Sequence, residues 1–234
     1  MNGVLLIPCV GPMQSWGTRS RFQERDTERE PSKSGIIGML CAALGRDRRS
    51  SVDDLASLRM GVRADREGIV QKDFQTAQNV AVASGGPPEN LLSNRHYLAD
   101  GAFLTGLEGD FDLIQKCHVA LASPKWLLYL GRKSYVPSLP LFLQDGLVKD
   151  VELRAALLGY PLLISDKEIA DRRKKIEGGK SDGRIRLLLE SREPSHQTRR
   201  DQPFGSTFQD RTFRERFVVT EFIDLISCPQ KGEG

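Results

Sequence analysis

An α+β fold is what this sequence predicts, and three observations carry the prediction. An apolar run, Val4 to Val10, is followed by a long polar loop and a helical pattern with Ile36, Ile37, Leu40, Ala43 and Leu44 on one face. A second helical pattern, Phe111, Ile114, Cys117, His118 and Leu121, follows two strand-like stretches. Between those stretches, residues 76–94 lose all periodicity around Gly85-Gly86-Pro87-Pro88, the strongest loop signal in the chain. The resulting order is strand, helix, short helix, strand, strand with an insertion, helix, strand. That is the order of a ferredoxin-like (RRM-like) sheet. Residues 1–143 are expected to hold this domain, with the insertion projecting at about 76–94, and residues 144–234 a smaller, mainly β C-terminal region. Such sheets often bind single-stranded RNA, although the fold hosts many functions.

Each element has its own justification. Val4 to Val10 is apolar without interruption, as in a buried strand. The stretch from Gly11 to Gly45 organises the rest: GPMQSWG, a loop crowded with charge, then PSKSGIIGMLCAALG. Ser32 or Ser34 caps the helix, Lys33 stands beside the cap, and Gly45 stops it. The first amides of a helix have no partner and lie at the positive end of its dipole, so a helix mouth turned toward the loop attracts anions. A phosphate-bearing ligand is expected there, with a plain surface crossover as the alternative. Val52 to Leu58 reads as a short helix. Met60, Val62 and Ala64 alternate with charged residues, as in a half-exposed strand, and Ile69 to Gln75 returns after a turn at Glu67-Gly68.

Tyr97, Phe103 and Leu107 fit a longer strand, Asp110 caps the second helix and Ser123-Pro124 ends it. Residues 126–130, WLLYL, read as a buried strand running into Gly131-Arg132-Lys133-Ser134, a turn able to bring amides and two cations to a phosphate. Residues 150–159 suggest a short helix and residues 171–184 a charged, glycine-rich loop. Ile185 to Leu189 and Phe217 to Ile223 look like strands, separated by a basic segment with Arg199, Arg200, Arg211, Arg214 and Arg216. The tail SCPQKGEG is expected to fray.

Composition narrows the function classes. With 39% hydrophobic and 28% charged residues and no run long enough to span a bilayer, no membrane association is expected. The start MNGVLLIPCV lacks the features of a signal peptide, so a cytoplasmic location is expected. Cys9, Cys41, Cys117 and Cys228, and the three histidines, are dispersed without metal-ligand spacing, so neither metal nor cofactor is expected. The GGKS fragment at 178–181 is not a P-loop, since Lys174 stands where the first glycine is required. Net charge is +3, yet residues 172–216 hold 13 Lys/Arg against 7 Asp/Glu, which suggests either a polyanion partner or a solvated charged face.

Four phrases carry a resemblance. GPMQSWG, PSKSGIIGMLCAALG, RHYLADGAF and YLGRKSYVPSLPLFL, in that order over roughly Val4 to Leu143, resemble the CasD subunits of type I-E CRISPR surveillance complexes (Cascade), in the RAMP superfamily. The resemblance implies a ferredoxin-like RAMP domain with a protruding thumb, present in a single copy that caps the five-prime handle of the crRNA. Implied partners are the CasC backbone, the large CasA subunit and other Cascade subunits, with target DNA met indirectly. Single-stranded RNA exposes bases for stacking and edge reading. Gln14 and Trp16 offer an amide and a stacking surface, while Arg29, Lys33 and Ser34 gather at the helix mouth. Arg95 and Tyr97 stand where the insertion returns, and Gly131, Arg132, Lys133 and Ser134 form the phosphate turn. Trp16 packing on the core, Tyr97 as a plain strand residue and Arg29 pairing with Glu28 or Glu30 are the alternatives.

No catalytic residue is expected. A type I-C relative cleaves precursor RNA with Tyr, Lys and His groups, but His96, His118 and His196 form no matching set in this sequence. Metal-independent cleavage of repeat RNA is the alternative function.

Overall fold

The computed structural model describes residues 1–19, 24–204 and 212–229. Alternation within the first strand, β1 (Asn2–Val10), sets up the layers. Leu5, Ile7 and Cys9 face one core, Val4 and Leu6 another, and all five are buried. Two short strands, β2 (Met13–Gln14) and β3 (Glu24–Arg25), precede helix α1 (Lys33–Leu44). The Ser32 side chain caps α1 by accepting from the Gly35 amide. Gly45 ends it in the left-handed region at φ 69°, with its amide turned back to Ala42. Then come α2 (Asp53–Ala56), β4 (Arg59–Arg66), β5 (Ile69–Val80), β6 (Glu89–Ala99), β7 (Ala102–Asp110) and α3 (Phe111–Ala122). The chain closes with β8 (Leu147–Lys149), α4 (Leu153–Gly159), α5 (Asp166–Glu177), β9 (Arg184–Glu190), β10 (Gln197–Phe204), β11 (Thr212–Asp224) and a 3-10 turn, Leu225–Ser227.

The fold is mixed α+β and its main sheet is antiparallel. Seven strands run β10-β11-β9-β4-β7-β1-β8. Helices α1 and α3 cover one face, packing Ile36, Leu40, Ile114 and Cys117 on Leu5, Ile7 and Leu107. Helix α4 covers the other, where Leu153 and Leu157 meet Val4, Leu6, Leu104 and Leu187. A second sheet, β2-β6-β3 with β5 on β6, carries the β5–β6 hairpin. Because β9 pairs with β4, hydrogen bonding runs unbroken from the N-terminal part into the C-terminal strands. The expected division at residue 143 therefore does not coincide with a gap in the sheet.

Several elements differ from expectation for identifiable reasons. The strand at 59–66 is buried along both faces rather than half-exposed. Its Arg63 and Asp65 form a buried pair at 2.6 Å, and the Arg63 guanidinium also donates to the carbonyls of Leu157, Tyr160 and Pro161 at the end of α4. The charged alternation thus marks a helix cap, not a wet face. The insertion at 76–94 is largely strand: pairing continues through Thr76–Leu92 and Ala77–Leu91 to Val80–Glu89, because backbone hydrogen bonds need no apolar alternation. Residues 171–184 are not all loop, since α5 runs to Glu177. Ser165 caps it, Asp166 and Glu168 stand at its start, and Lys174 and Lys175 complement the dipole at its end. Only Ile169 of that helix is buried, which left no apolar period to read. The basic segment between the last strands is itself strand β10; Arg211 lies outside the described residues.

Candidate nucleic-acid interface

The loop after β1 folds back on β6 and on the 130–135 turn. Ser15 donates its amide to the Leu130 carbonyl at 3.0 Å, and the Trp16 amide donates to Thr27 Oγ1 at 3.0 Å. Its first two candidates are spent on that fold. Gln14 Nε2 donates to the carbonyls of Cys9 (3.0 Å) and Gly101 (2.8 Å), while its Oε1 accepts from the Trp16 indole at 3.0 Å. Both side chains are buried, Trp16 to 1% exposure, so neither presents an amide or a ring to a ligand. The indole lies against Gly35, where any Cβ would stand 2.9 Å from the ring. Core packing is the outcome for Trp16.

The mouth of α1 is likewise occupied from within. The Lys33 amide donates to Asp201 Oδ2 at 2.7 Å, so an internal carboxylate sits where a phosphate was expected. The Lys33 ammonium, fully buried, holds both oxygens of Glu190 at 2.9 and 3.0 Å. Burial pulls its pKa down and Glu190 opposes that pull. Arg216 completes the cluster, 2.7 Å from Asp201 and 3.6 Å from Glu190. Glu30 joins Arg186 and Arg199, each at 2.9 Å. Lys33 is therefore a structural ion, and Arg186, Arg199 and Arg216 of the basic segment are internal partners rather than a polyanion face.

What remains open is a groove beside this cluster. It is lined by Ser34 and Gly35 of α1, Arg25 and Asp26 of the loop, and Gly131 and Arg132 of the turn. Gly131 takes φ 91°, and a Cβ there would overlap the Ser15 carbonyl oxygen at 1.7 Å, so the turn approaches the loop as only glycine allows. Arg132 is half-buried: it donates to Tyr135 Oη at 2.7 Å and the His96 carbonyl at 2.8 Å, and lies 5.3 Å from the Tyr135 ring centre. Tyr97 is half-buried behind it, 6.0 Å from Tyr135, which makes it a strand residue first. Arg25 pairs in register with Arg95 across the parallel β3–β6 contact. Arg95 reaches Ser93 Oγ at 3.2 Å. Arg29, Lys133 and Ser134 are exposed and do not line the groove, although Lys133 and Ser134 directly follow Arg132 in the turn. Sequence reasoning missed Arg25, since its two-residue strand lies in a stretch crowded with charge where no single cation stands out.

The sequence model of the family described as CRISPR-associated protein (Cas_Cas5) matches residues 4–219. The chain belongs to the Cas5/CasD family. It is 32% identical over 176 residues to the CRISPR system Cascade subunit CasD of Escherichia coli (strain K12), covering 68% of this chain and 78% of that protein. Among solved structures, one titled "Crystal structure of Cas protein" superposes with a TM-score of 0.75 at 44% identity, covering 97% and 98% of the two chains. A chain from a "CRISPR RNA-guided surveillance complex" gives 0.75 at 29% identity, over 94% and 89%.

In this Cas5-family chain the histidines stand apart. His118 Nε2 donates to the Leu143 carbonyl at 2.7 Å and its ring lies on Phe142. His96 is 3.6 Å from Glu24, and His196 precedes β10 in the open. Among the described residues there is no grouping of three metal-ligating side chains, and no helix is long and apolar enough to cross a membrane.

Proposed function

We propose that this chain is a non-catalytic crRNA-binding subunit of a type I-E Cascade complex in the cytoplasm. Its place is at the five-prime handle of the crRNA, docked against the CasC backbone and the large CasA subunit. The single observation that supports this most is the groove where Ser34, Gly131 and Arg132 meet Arg25, with Arg95 in register beside Arg25 and the exposed Lys133 next in the turn. Three of the eleven sequence candidates, Ser34, Gly131 and Arg132, line this open surface. Strands β4-β7-β1-β8 with α1 and α3 are read as the ferredoxin-like unit, and the β5–β6 hairpin as its thumb. Cations on a groove of this kind track a single-stranded backbone, while exposed edges of the bases remain free to be read.

Handle RNA should bind more tightly than a scrambled strand. The logarithm of affinity should fall with log salt by about 0.7 for each phosphate neutralised. Exchanging the exposed Arg25→Glu or Lys133→Glu should lower both affinity and salt slope without changing the melting temperature. Equal binding of scrambled RNA, with no effect of either variant, contradicts the proposal. Incubation with repeat RNA under metal-free conditions should leave it intact. Specific cleavage lost in His96→Ala or His118→Ala would instead assign the processing ribonuclease activity.

A further inference from the structure

A second cleft, of about 340 Å³, adjoins the groove and shares Ser34, Gly35 and Gly131 with it. Its floor is the outward side of α1, where a Cβ added to Gly38 would meet no atom within 4 Å. Its wall is the segment read from sequence as the buried strand WLLYL. That segment is not a strand. Lys125 and Trp126 donate their amides to the carbonyls of Ala43 (2.9 Å) and Ala42 (3.3 Å), closing the last turn of α1, and Leu130 donates to Tyr135 at 2.8 Å. Pinned at both ends, the segment buries Leu130 but leaves Trp126 49% and Leu127 90% exposed.

Two large apolar side chains exposed together beside a cleft gain free energy when a ligand covers them. At the rim stand Arg46, held by Asp54 at 2.5 and 2.6 Å, and Arg48, exposed and without an ion pair among the described residues. An aromatic side chain and an open glycine lining the same cleft suit a planar ring. The cation at the rim suits the phosphate attached to that ring, and the cleft continues directly into the groove.

We infer that the cleft receives one unstacked base of the bound RNA strand, lying on Trp126 and Leu127 with its phosphate toward Arg48. The inference rests on the groove being an RNA site. Stacking on an aromatic face is indifferent to base identity, so the cleft fixes where the strand bends rather than which base is present.

The chain's two tryptophans make this measurable, because Trp16 is buried and only Trp126 is accessible to acrylamide. Titration with handle RNA should quench the accessible emission and shield it from acrylamide. Trp126→Leu should abolish the quench and weaken binding roughly 5- to 150-fold, while Trp126→Phe keeps most of the affinity. Both variants should melt with the unaltered chain. Binding with unchanged Trp126 emission and unchanged affinity in Trp126→Leu overturns the inference; the groove reading still stands if Lys133→Glu weakens that same titration. Absence of any handle binding overturns both. Shielding of Trp126 by neighbouring subunits before RNA is added overturns the inference in favour of a protein side chain.

Discussion

Lys33 shows how a residue's role is decided by partners far away in sequence. Beside a helix cap it reads as a phosphate ligand, yet its ammonium is closed in against Glu190, a carboxylate 157 residues later. Breaking one side of a buried ion pair strands the other charge, at a cost of about 3–5 kcal/mol. Lys33→Ala should therefore lower folding stability by that order in chemical denaturation. A paired Lys33→Met, Glu190→Leu exchange should restore part of the loss, and RNA affinity per folded molecule should stay unchanged. The thiols supply a pH test. Burial pushes Cys9 and Cys117 from 9.0 up to about 12, with a Thr105 contact opposing it slightly at Cys9. Between those values the unfolded chain gives up thiol protons that the native chain retains, so these groups make stability fall as pH rises through that window. Thiol reagents at neutral pH should label neither residue until the chain unfolds. The burial of Cys9, Cys41 and Cys117 was legible from the apolar runs around them, whereas Cys228 lies in the tail expected to fray and is buried all the same. The ownership of Lys33 was not, because nothing local distinguishes a cation awaiting phosphate from one awaiting Glu190.

At the scale of elements, local signals read best where cap and periodicity agree. Helices α1 and α3 carry both a side-chain cap and an apolar stripe; Ser32, one of the two candidates for α1, and the expected Asp110 are the caps observed. Segment 126–130 misleads because uninterrupted apolar character normally means burial. Here the backbone is committed to the end of α1, and Trp126 and Leu127 are left outside. Helix α5 and strand β10 were hidden for the opposite reason, being held by ion pairs such as Arg66–Glu168 and Arg216–Asp201 that leave no hydrophobic period. The turn at Gly131 allows a direct test of how the groove is built. Gly131→Ala would force both a left-handed residue with a Cβ and an overlap with Ser15, costing at least about 1–3 kcal/mol. The melting temperature should drop, and handle affinity should fall because Arg132 and Lys133 are displaced with the turn.

Across the whole molecule, one sheet spans both halves of the chain, and its C-terminal strands clamp the mouth of α1. The internal cluster of Lys33, Glu190, Asp201 and Arg216 removes that mouth from RNA binding and leaves the groove between the loop and the Gly131 turn as the open cationic surface. The central claim is that this surface holds the crRNA handle. Ultraviolet crosslinking of a particle assembled with its crRNA, read by mass spectrometry, tests it most directly. Adducts should fall on the peptides carrying Arg25 to Ser34 and Gly131 to Ser134. A handle footprint that avoids both peptides would contradict the account.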